Sequence, residues 1–119
     1  MKYHESEEMY LETILLLTER QSEVRSIDIA TELNYSRASV SRAVGLLQKK
    51  EYIVINNGNI KLTDSGLKKA KDIFERHEII TDLLQKIGAP LALAEDNACR
   101  IEHVISPELL DYFKKFLNK

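Results

Sequence analysis

The chain has 119 residues, of which 44% are hydrophobic and 30% charged, and its formal net charge is −2. This length suits one ordinary domain, or a small domain with an attached helical module. Because 17 basic residues nearly balance 19 acidic ones, whole-chain charge gives no case for nucleic-acid binding, and any such function must come from local charge.

The single cysteine, Cys99, cannot form an internal disulfide, and a free thiol is typical of a reducing compartment. No apolar stretch approaches the roughly 20 residues that span a bilayer. The polar start of the chain also lacks the apolar region of a signal peptide. We therefore expect a cytoplasmic protein with no membrane association.

The first amphipathic segment, residues 6–20, predicts a helix with Ser6 as its N-cap and acidic residues in its first turn. Met9 and Glu12 are three residues apart and therefore share one face of this helix. The simplest interpretation makes Met9 a core residue and Glu12 a solvated charge.

Residues 26–50 predict a helix-turn-helix. Ser26 is placed to cap a short helix over 27–33, and Ser36 to cap a second helix that runs to about Lys50. The second helix has four basic and no acidic residues, a local charge of +4. An ordinary helical hairpin with a basic face is the alternative interpretation.

The start of this second helix indicates a surface that could contact DNA. Serine hydroxyls allow a close approach to a duplex, and arginines reach phosphates or guanine edges. The candidate DNA contacts outside the apolar stripe are Ser36, Arg37, Ser39, Ser41 and Arg42.

The next segment predicts a β-hairpin. Residues 52–55 are β-branched and aromatic, Asn57-Gly58 is a favoured two-residue turn, and residues 59–62 form the returning strand. A hairpin directly after a recognition-type helix is a wing. We therefore predict that residues 1–72 form a winged helix-turn-helix DNA-binding domain.

The rest of the chain, residues 73–119, predicts an all-helical module. One long helix should begin after Thr63, its cap, and run to about residue 87, a second should cover 91–105, and a third should follow Ser106, its N-cap. His77 falls in the apolar stripe of the long helix, where a buried structural histidine is the alternative to a ligand. The amount of apolar surface suggests a two-fold dimer, and a larger monomeric core is the alternative.

Cys99, Glu102 and His103 form the most chemically suggestive pattern in this module. Their spacing of i, i+3 and i+4 would place the three side chains on one helix face. Thiolate, carboxylate and imidazole together suit a borderline transition ion better than calcium or magnesium. A small buried cysteine beside a solvated Glu-His pair is the alternative.

Over nearly its whole length, the sequence resembles the diphtheria toxin repressor family of metal-dependent transcriptional repressors. The resemblance rests on Glu8-Met9-Tyr10-Leu11, the winged segment, Arg76-His77-Glu78 and the run from Ala98 to Val104. It implies a homodimer that binds double-stranded operator DNA only when loaded with a divalent transition metal. It also implies a regulator rather than an enzyme.

The resemblance further implies a ligand set. The positions that match Met9, Cys99, Glu102 and His103 form the family's regulatory metal site. Those that match His77 and, in the manganese branch, Glu12 belong to a second site. The family's iron-type second site is depleted here because Thr81 and Glu95 replace its usual Glu and His.

The softness of these ligands favours one metal over the others. Thioether and thiolate shift a site away from Mn(II), so we expect Fe(II) as the physiological ion, with Mn(II) as the alternative. We expect Co(II), Ni(II) or Zn(II) to substitute in vitro. The chain also resembles the short family members that lack a C-terminal SH3-like domain.

The resemblance suggests how metal would control DNA binding. An ion held by Met9 and the three later ligands would join the two parts of the chain. It would bias the dimer towards a spacing of about 34 Å, which matches successive major grooves. Three rivals remain: a metal-independent winged-helix regulator that responds to a small molecule or to a redox change at Cys99, a small metalloenzyme and a dimerisation adaptor.

Overall fold

The computed structural model describes residues 7–118. Contacts divide the chain into two compact units, residues 2–71 and 72–119, which are described separately below as the first and second units. The N-cap predicted at Ser6 lies outside the described residues.

Three helices form most of the first unit: α1 covers Glu7–Arg20, α2 covers Ser26–Leu33 and α3 covers Arg37–Lys49. The apolar positions that recur at helical spacing meet in one core, as hydrophobic burial requires. The core side chains that are 0–1% exposed in these helices are Leu11, Ile14, Ile29, Val40 and Leu47.

The turn between α2 and α3 has the form that the sequence predicts. Asn34 adopts the left-handed conformation (φ 58°, ψ 44°) that ends many helices. The Tyr35 N–H donates to Ala30 O at 3.1 Å. Ser36 then caps α3 because its Oγ accepts the Ser39 N–H at 3.1 Å, which confirms that prediction.

The N-cap predicted for α2 is wrong by one residue. Arg25, rather than Ser26, occupies the N-cap position. The backbone N–H of Arg25 donates to Asp28 Oδ2 at 2.8 Å. The Asp28 N–H in turn donates to Arg25 O at 2.9 Å, so the N-cap and N3 donors are both paired without a serine hydroxyl.

Two antiparallel strands, β1 (Ile53–Asn56) and β2 (Asn59–Leu62), form the predicted wing. The register pairs Ile53 with Leu62 and Asn56 with Asn59. Asn57 and Gly58 both have positive φ angles, 51° and 81°, as the favoured two-residue hairpin turn requires. Ile53 and Ile60 turn inward and are 1% and 2% exposed, which fixes the wing to the core.

Helix α4 covers Asp64–Lys86, and the division between the two units falls within it. Thr63 caps it as predicted, because its Oγ1 accepts the Gly66 N–H at 3.2 Å. In the second unit, α5 covers Leu91–Ile101 and α6 covers Pro107–Leu117. The Ser106 N-cap of α6 is also confirmed, since its Oγ accepts the Leu109 N–H at 3.2 Å.

Apolar side chains from α4, α5 and α6 pack together in the second unit. The buried centre is Ile80, Ala98 and Leu110, and the side chains packed against it are Ile79, Leu84, Ile101, Ile105 and Phe113. None of the helices within residues 7–118 combines the length and apolarity needed to cross a bilayer. The predicted mainly α fold with a winged helix-turn-helix is confirmed.

One predicted boundary in the second unit is wrong. The helix expected to reach about Ile105 ends at Ile101. Glu102 keeps right-handed helical angles and its N–H donates to Ala98 O at 2.9 Å, whereas His103 lies in the turn that follows. His103 therefore lies outside the regular helix that carries Cys99, so the predicted single helix face of Cys99, Glu102 and His103 is wrong for His103.

Candidate metal centre and nucleic-acid interface

Helix α3 separates its apolar and polar side chains as the sequence predicts. Val40, Val44 and Leu47 are buried against the core, while Arg37, Ser41 and Arg42 are exposed. The exposed surface carries two arginines at the start of the helix and Lys49 at its end. A basic helix surface of this kind suits the phosphates and base edges of a DNA groove.

The other two candidate DNA contacts take part in a local hydrogen-bond chain. The Ser36 hydroxyl lies 3.1 Å from Ser39 Oγ. The Arg42 guanidinium donates to Ser39 Oγ at 3.4 Å. Ser36 thus has a structural role as a helix cap, and Ser39 helps to orient Arg42. Any approach to DNA by these two serines competes with bonds that they already make.

An ion-pair network that the sequence analysis missed surrounds the C-terminal end of α3. The Glu7 carboxylate accepts hydrogen bonds from Lys50 and Lys69, the latter at 3.1 Å. Burial alone would raise the pKa of Glu7, but the two lysines outweigh it and hold the pKa below its ordinary value. These partners are 43 and 62 residues away in sequence, so no local pattern could have revealed them.

Glu102, in the second unit, is a charged residue whose side chain is fully buried, with 0% exposure. Its Oε1 lies 3.1 Å from Nδ1 of His77 on α4. The backbone carbonyl of Glu102 accepts a hydrogen bond from the Arg76 guanidinium at 2.8 Å. Adjacent residues of α4 therefore fix both the side chain and the backbone of Glu102.

The second oxygen of this carboxylate is where a ligand would fit. Glu102 Oε2 is buried and has no hydrogen-bond partner within residues 7–118. A buried carboxylate oxygen without a partner carries a large desolvation cost, which a cation can offset. A carboxylate held by an imidazole is also a donor set that divalent transition ions accept. The residues present therefore fit a metal ion.

The structure brings together only part of the predicted ligand set. His77 and Glu102 are in contact. Cys99 and His103, which are close to Glu102 in sequence, are half-buried. Among the described residues, the ligand atoms of Cys99, Glu102 and His103 do not all lie within 4.8 Å of one another. Cys99, Glu102 and His103 therefore do not form a closed ligand cluster.

The two other predicted ligands belong to α1 of the first unit. Met9 is 7% exposed, and its Sδ accepts a hydrogen bond from the Tyr35 hydroxyl at 3.7 Å. Glu12 is half-buried. The bond to Tyr35 means that Met9 has a packing role in the first unit whether or not it binds metal.

A buried hydroxyl on α4 is a second unusual feature of the second unit. Thr81 lies one turn after His77 and is 7% exposed, yet its Oγ1 has no hydrogen-bond partner in the described part of the chain. Few buried polar atoms of native proteins lack a partner. No local sequence pattern predicts that a buried hydroxyl at this position lacks a partner among the described residues.

The second unit also exposes large apolar side chains. They are Ile87, Leu91, Leu93, Val104, Leu109, Tyr112 and Phe116, each at least 47% exposed. Five of them lie on α5 and α6. Ile87 directly follows α4, and Val104 lies in the turn after α5. Apolar surface of this extent is typical of a protein–protein interface.

Comparison with protein families gives two matches that together cover almost the whole chain. Residues 2–58 match the family model described as the N-terminal DNA-binding domain of the iron-dependent repressors. Residues 63–119 match the model described as the metal-binding and dimerisation domain of the same proteins. The four residues between the two matches, 59–62, form β2 of the wing.

Individual relatives agree with these matches. The chain is 35% identical to the HTH-type transcriptional regulator MntR of Shouchella clausii, over 89% of this chain and 75% of that protein. It is 30% identical to an uncharacterized HTH-type transcriptional regulator of Methanocaldococcus jannaschii, over 97% of this chain and 94% of the relative.

A solved structure has the same fold. The manganese regulator SloR superposes with a TM-score of 0.83 and 25% identity, over 97% of this chain. Only 54% of the SloR chain is covered. The present chain therefore spans about half the length of that structural relative.

Proposed function

This chain belongs to the iron-dependent repressor family, and from that premise we propose that it represses transcription as a homodimer when it is loaded with Fe(II). Proteins of this family are DNA-binding repressors rather than enzymes. The small metalloenzyme considered as a rival is therefore set aside. Binding to operator DNA implies a cytoplasmic location.

The DNA-binding part of the proposal is supported by α3 and by the match of residues 2–58 to a DNA-binding domain. Arg37, Ser41 and Arg42 are exposed at the start of α3 and are our proposed contacts to bases and phosphates. Ser36 and Ser39 complete the set, with the structural roles described above. The operator is double-stranded DNA that controls metal-homeostasis genes.

One observation carries the metal-binding part of the proposal: the buried Glu102 carboxylate, with one oxygen on His77 and the other without a partner among the described residues. Cys99 and His103 are the further ligands that we propose from this unit. Met9 and Glu12 remain ligands proposed from the sequence. The ion acts as co-repressor because it binds the DNA-binding conformation more tightly than its alternative.

Ligand chemistry supports Fe(II) over Mn(II). A thiolate from Cys99 and a thioether from Met9 are softer than the oxygen ligands that Mn(II) prefers. Mn(II) is the second candidate, because the structural relative SloR is described as a manganese regulator. Co(II), Ni(II) and Zn(II) bind such sites more tightly in vitro and would substitute for the physiological ion.

Dimerisation is supported by the exposed apolar residues of α5 and α6 and by the match of residues 63–119 to a dimerisation domain. A two-fold dimer would present two α3 helices to successive half-sites. Light scattering after size-exclusion chromatography should give twice the mass of the 13.7 kDa chain.

The proposed function is tested by an anaerobic mobility-shift assay with promoter DNA of metal-uptake genes. Fe(II), and to a smaller degree Mn(II), should produce a retarded complex that a chelator abolishes. The Glu102→Gln variant should give no complex at the same metal concentration. A complex that survives chelation would instead support the metal-independent regulator.

A further inference from the structure

The wing lacks a positive charge at its tip. Residues 53–62 contain one basic residue, Lys61, and no acidic one. Lys61 pairs with Val54 in the ladder, away from the turn at Asn57 and Gly58. Contact between a protein and the phosphate backbone depends mainly on cations that neutralise phosphates. The hairpin alone therefore provides little to hold its tip against a duplex.

A cation from outside the hairpin occupies this position. A β-carbon on Gly58 would overlap the guanidinium of Arg25. The guanidinium therefore lies directly against the backbone of the turn, in space that exists because residue 58 has no side chain. Arg25 precedes α2 and is remote from the wing in sequence.

The backbone around Arg25 is fixed from two sides. The Val24 N–H donates to Asn59 Oδ1 at 3.0 Å, and the Ile60 N–H donates to Val24 O at 2.7 Å. These bonds attach the segment to β2. On the other side, the Arg25 N–H donates to Asp28 at the start of α2. Neither attachment uses the guanidinium, so it is available for another partner.

The guanidinium is also accessible. The side chain of Arg25 is 47% exposed, and its ion-pair partner Glu23 is 3.9 Å away with 60% exposure. An exposed ion pair of that length contributes little to stability. A phosphate oxygen could replace the Glu23 carboxylate at small cost and would form a stronger, charge-assisted hydrogen bond.

We propose that Arg25 is a DNA phosphate contact of the wing, positioned at the hairpin tip by the absence of a side chain on Gly58. The inference rests on the DNA binding proposed above and adds a contact outside α3. A phosphate contact fixes the position of the protein on the duplex without reading its sequence. Arg25 should therefore contribute equally to binding of any DNA sequence.

The test is a salt series with the Mn(II)-loaded protein and a short, fluorescein-labelled duplex of random sequence, followed by fluorescence anisotropy. Loss of one phosphate contact in Arg25→Gln should reduce the slope of log K against log salt by about one. Affinity near 0.1 M salt should fall by about five- to tenfold. Arg25→Lys keeps the charge and should keep the wild-type slope.

The matched control is Arg20→Gln. Arg20 is also an exposed arginine of the first unit, 56% exposed, and it pairs with Glu32 at 3.0 Å near the opposite end of α2. Its loss should leave the salt slope unchanged. Far-UV circular dichroism checks the fold, and Arg25→Met, which keeps the aliphatic stem, gives the same readout should the Gln variant fail to fold.

The possible failures are distinguishable. If the wild type binds with a steep salt dependence and neither Arg25→Gln nor Arg25→Met changes the slope, the role of Arg25 is overturned while DNA binding stands. If the wild type binds DNA neither with Fe(II) nor with Mn(II) loaded, the proposed function itself is overturned. An equal loss of slope in Arg20→Gln would also contradict the inference, because the effect would then reflect net charge alone.

Discussion

The two units differ in how they satisfy their polar groups. In the first unit, Ser36, Ser39 and Arg42 bond to one another, and Glu7 is held by two lysines. In the second unit, Glu102 Oε2 and Thr81 Oγ1 are buried without a partner among residues 7–118. Among the described residues, these polar groups of the first unit are therefore paired within that unit, whereas the second unit has two buried oxygens that a ligand could pair.

The apolar surface follows the same division. Seven of the large exposed apolar side chains come from the second unit, where Tyr112 and Ile87 reach 67% and 69% exposure. We therefore expect substitutions in the first unit to change stability, and substitutions in the second to change the response to metal or to a second copy of the chain.

The largest expected effect is at Glu102. In Glu102→Gln, affinity for Mn(II) should fall by about 100-fold or more, because a buried anionic ligand becomes a neutral amide. The metal-free protein should keep its stability, since a half-paired buried carboxylate is itself costly. Metal titration against a competing chelator measures the first quantity, and urea unfolding without metal measures the second.

Asp82→Asn is the matched control for Glu102→Gln, because Asp82 is an exposed carboxylate on α4. It should change neither quantity. A large loss of metal-free stability in Glu102→Gln would contradict the comparison, since it would make Glu102 a structural residue like those of the first unit.

The next effect tests packing in the first unit. A β-carbon on Gly66 would overlap the backbone carbonyl of Tyr52, whereas one on Gly45 would meet nothing within 4 Å. Gly66→Ala should therefore destabilise the protein by about 1–3 kcal/mol. Gly45→Ala should stabilise it by up to about 1 kcal/mol, because alanine is the better helix former. Urea unfolding followed by circular dichroism compares the two, and equal effects would be evidence against the close approach at Gly66.

A smaller effect separates the cap from the DNA contact. Ser36→Ala removes the N-cap of α3 and should cost about 1 kcal/mol of unfolding free energy. Ser41→Ala, at an exposed position of the same helix, should change stability by less than about 0.5 kcal/mol. DNA affinity measured for both variants then shows which serine contacts the duplex; a Ser36 variant of unchanged stability would mean that the cap is dispensable.

The smallest effect concerns pH. Because the folded-state pKa of Glu7 is held below its ordinary value of 4.5, its ion pairs stabilise the fold above that value. The contribution disappears as pH falls through the lowered pKa. Metal-free wild type should exceed Glu7→Gln in stability by up to about 1 kcal/mol at neutral pH. The difference should vanish once the pH lies below the lowered pKa of Glu7, and a difference that persists there would assign the effect to packing.

Sequence reasoning succeeded where structure is determined locally. The Asn57-Gly58 turn requires two positive φ angles, and few residues other than Asn and Gly accept them. The caps at Ser36, Thr63 and Ser106 were likewise predictable, because each hydroxyl bonds to a backbone N–H three residues later.

Sequence reasoning was less successful where residues distant in the sequence determine the local structure. Nothing between Ala98 and Ile105 is a helix breaker, so the pattern predicted a longer α5. The helix ends at Ile101 beside a residue whose side chain contacts His77 and whose carbonyl contacts Arg76. The contact between His77 and Glu102, 25 residues apart, is a tertiary feature. The ligand roles of Met9, Cys99 and His103 remain predictions.

The contact between Gly58 and Arg25 has a consequence for how relatives of this chain can differ. A β-carbon at position 58 would overlap the present position of the Arg25 guanidinium, so the end of this flexible side chain would have to move away from the turn. Asparagine accepts the positive φ of residue 58, yet it would still displace the arginine. A relative with another residue at position 58 can therefore keep an arginine at position 25, but its guanidinium would no longer lie against the turn.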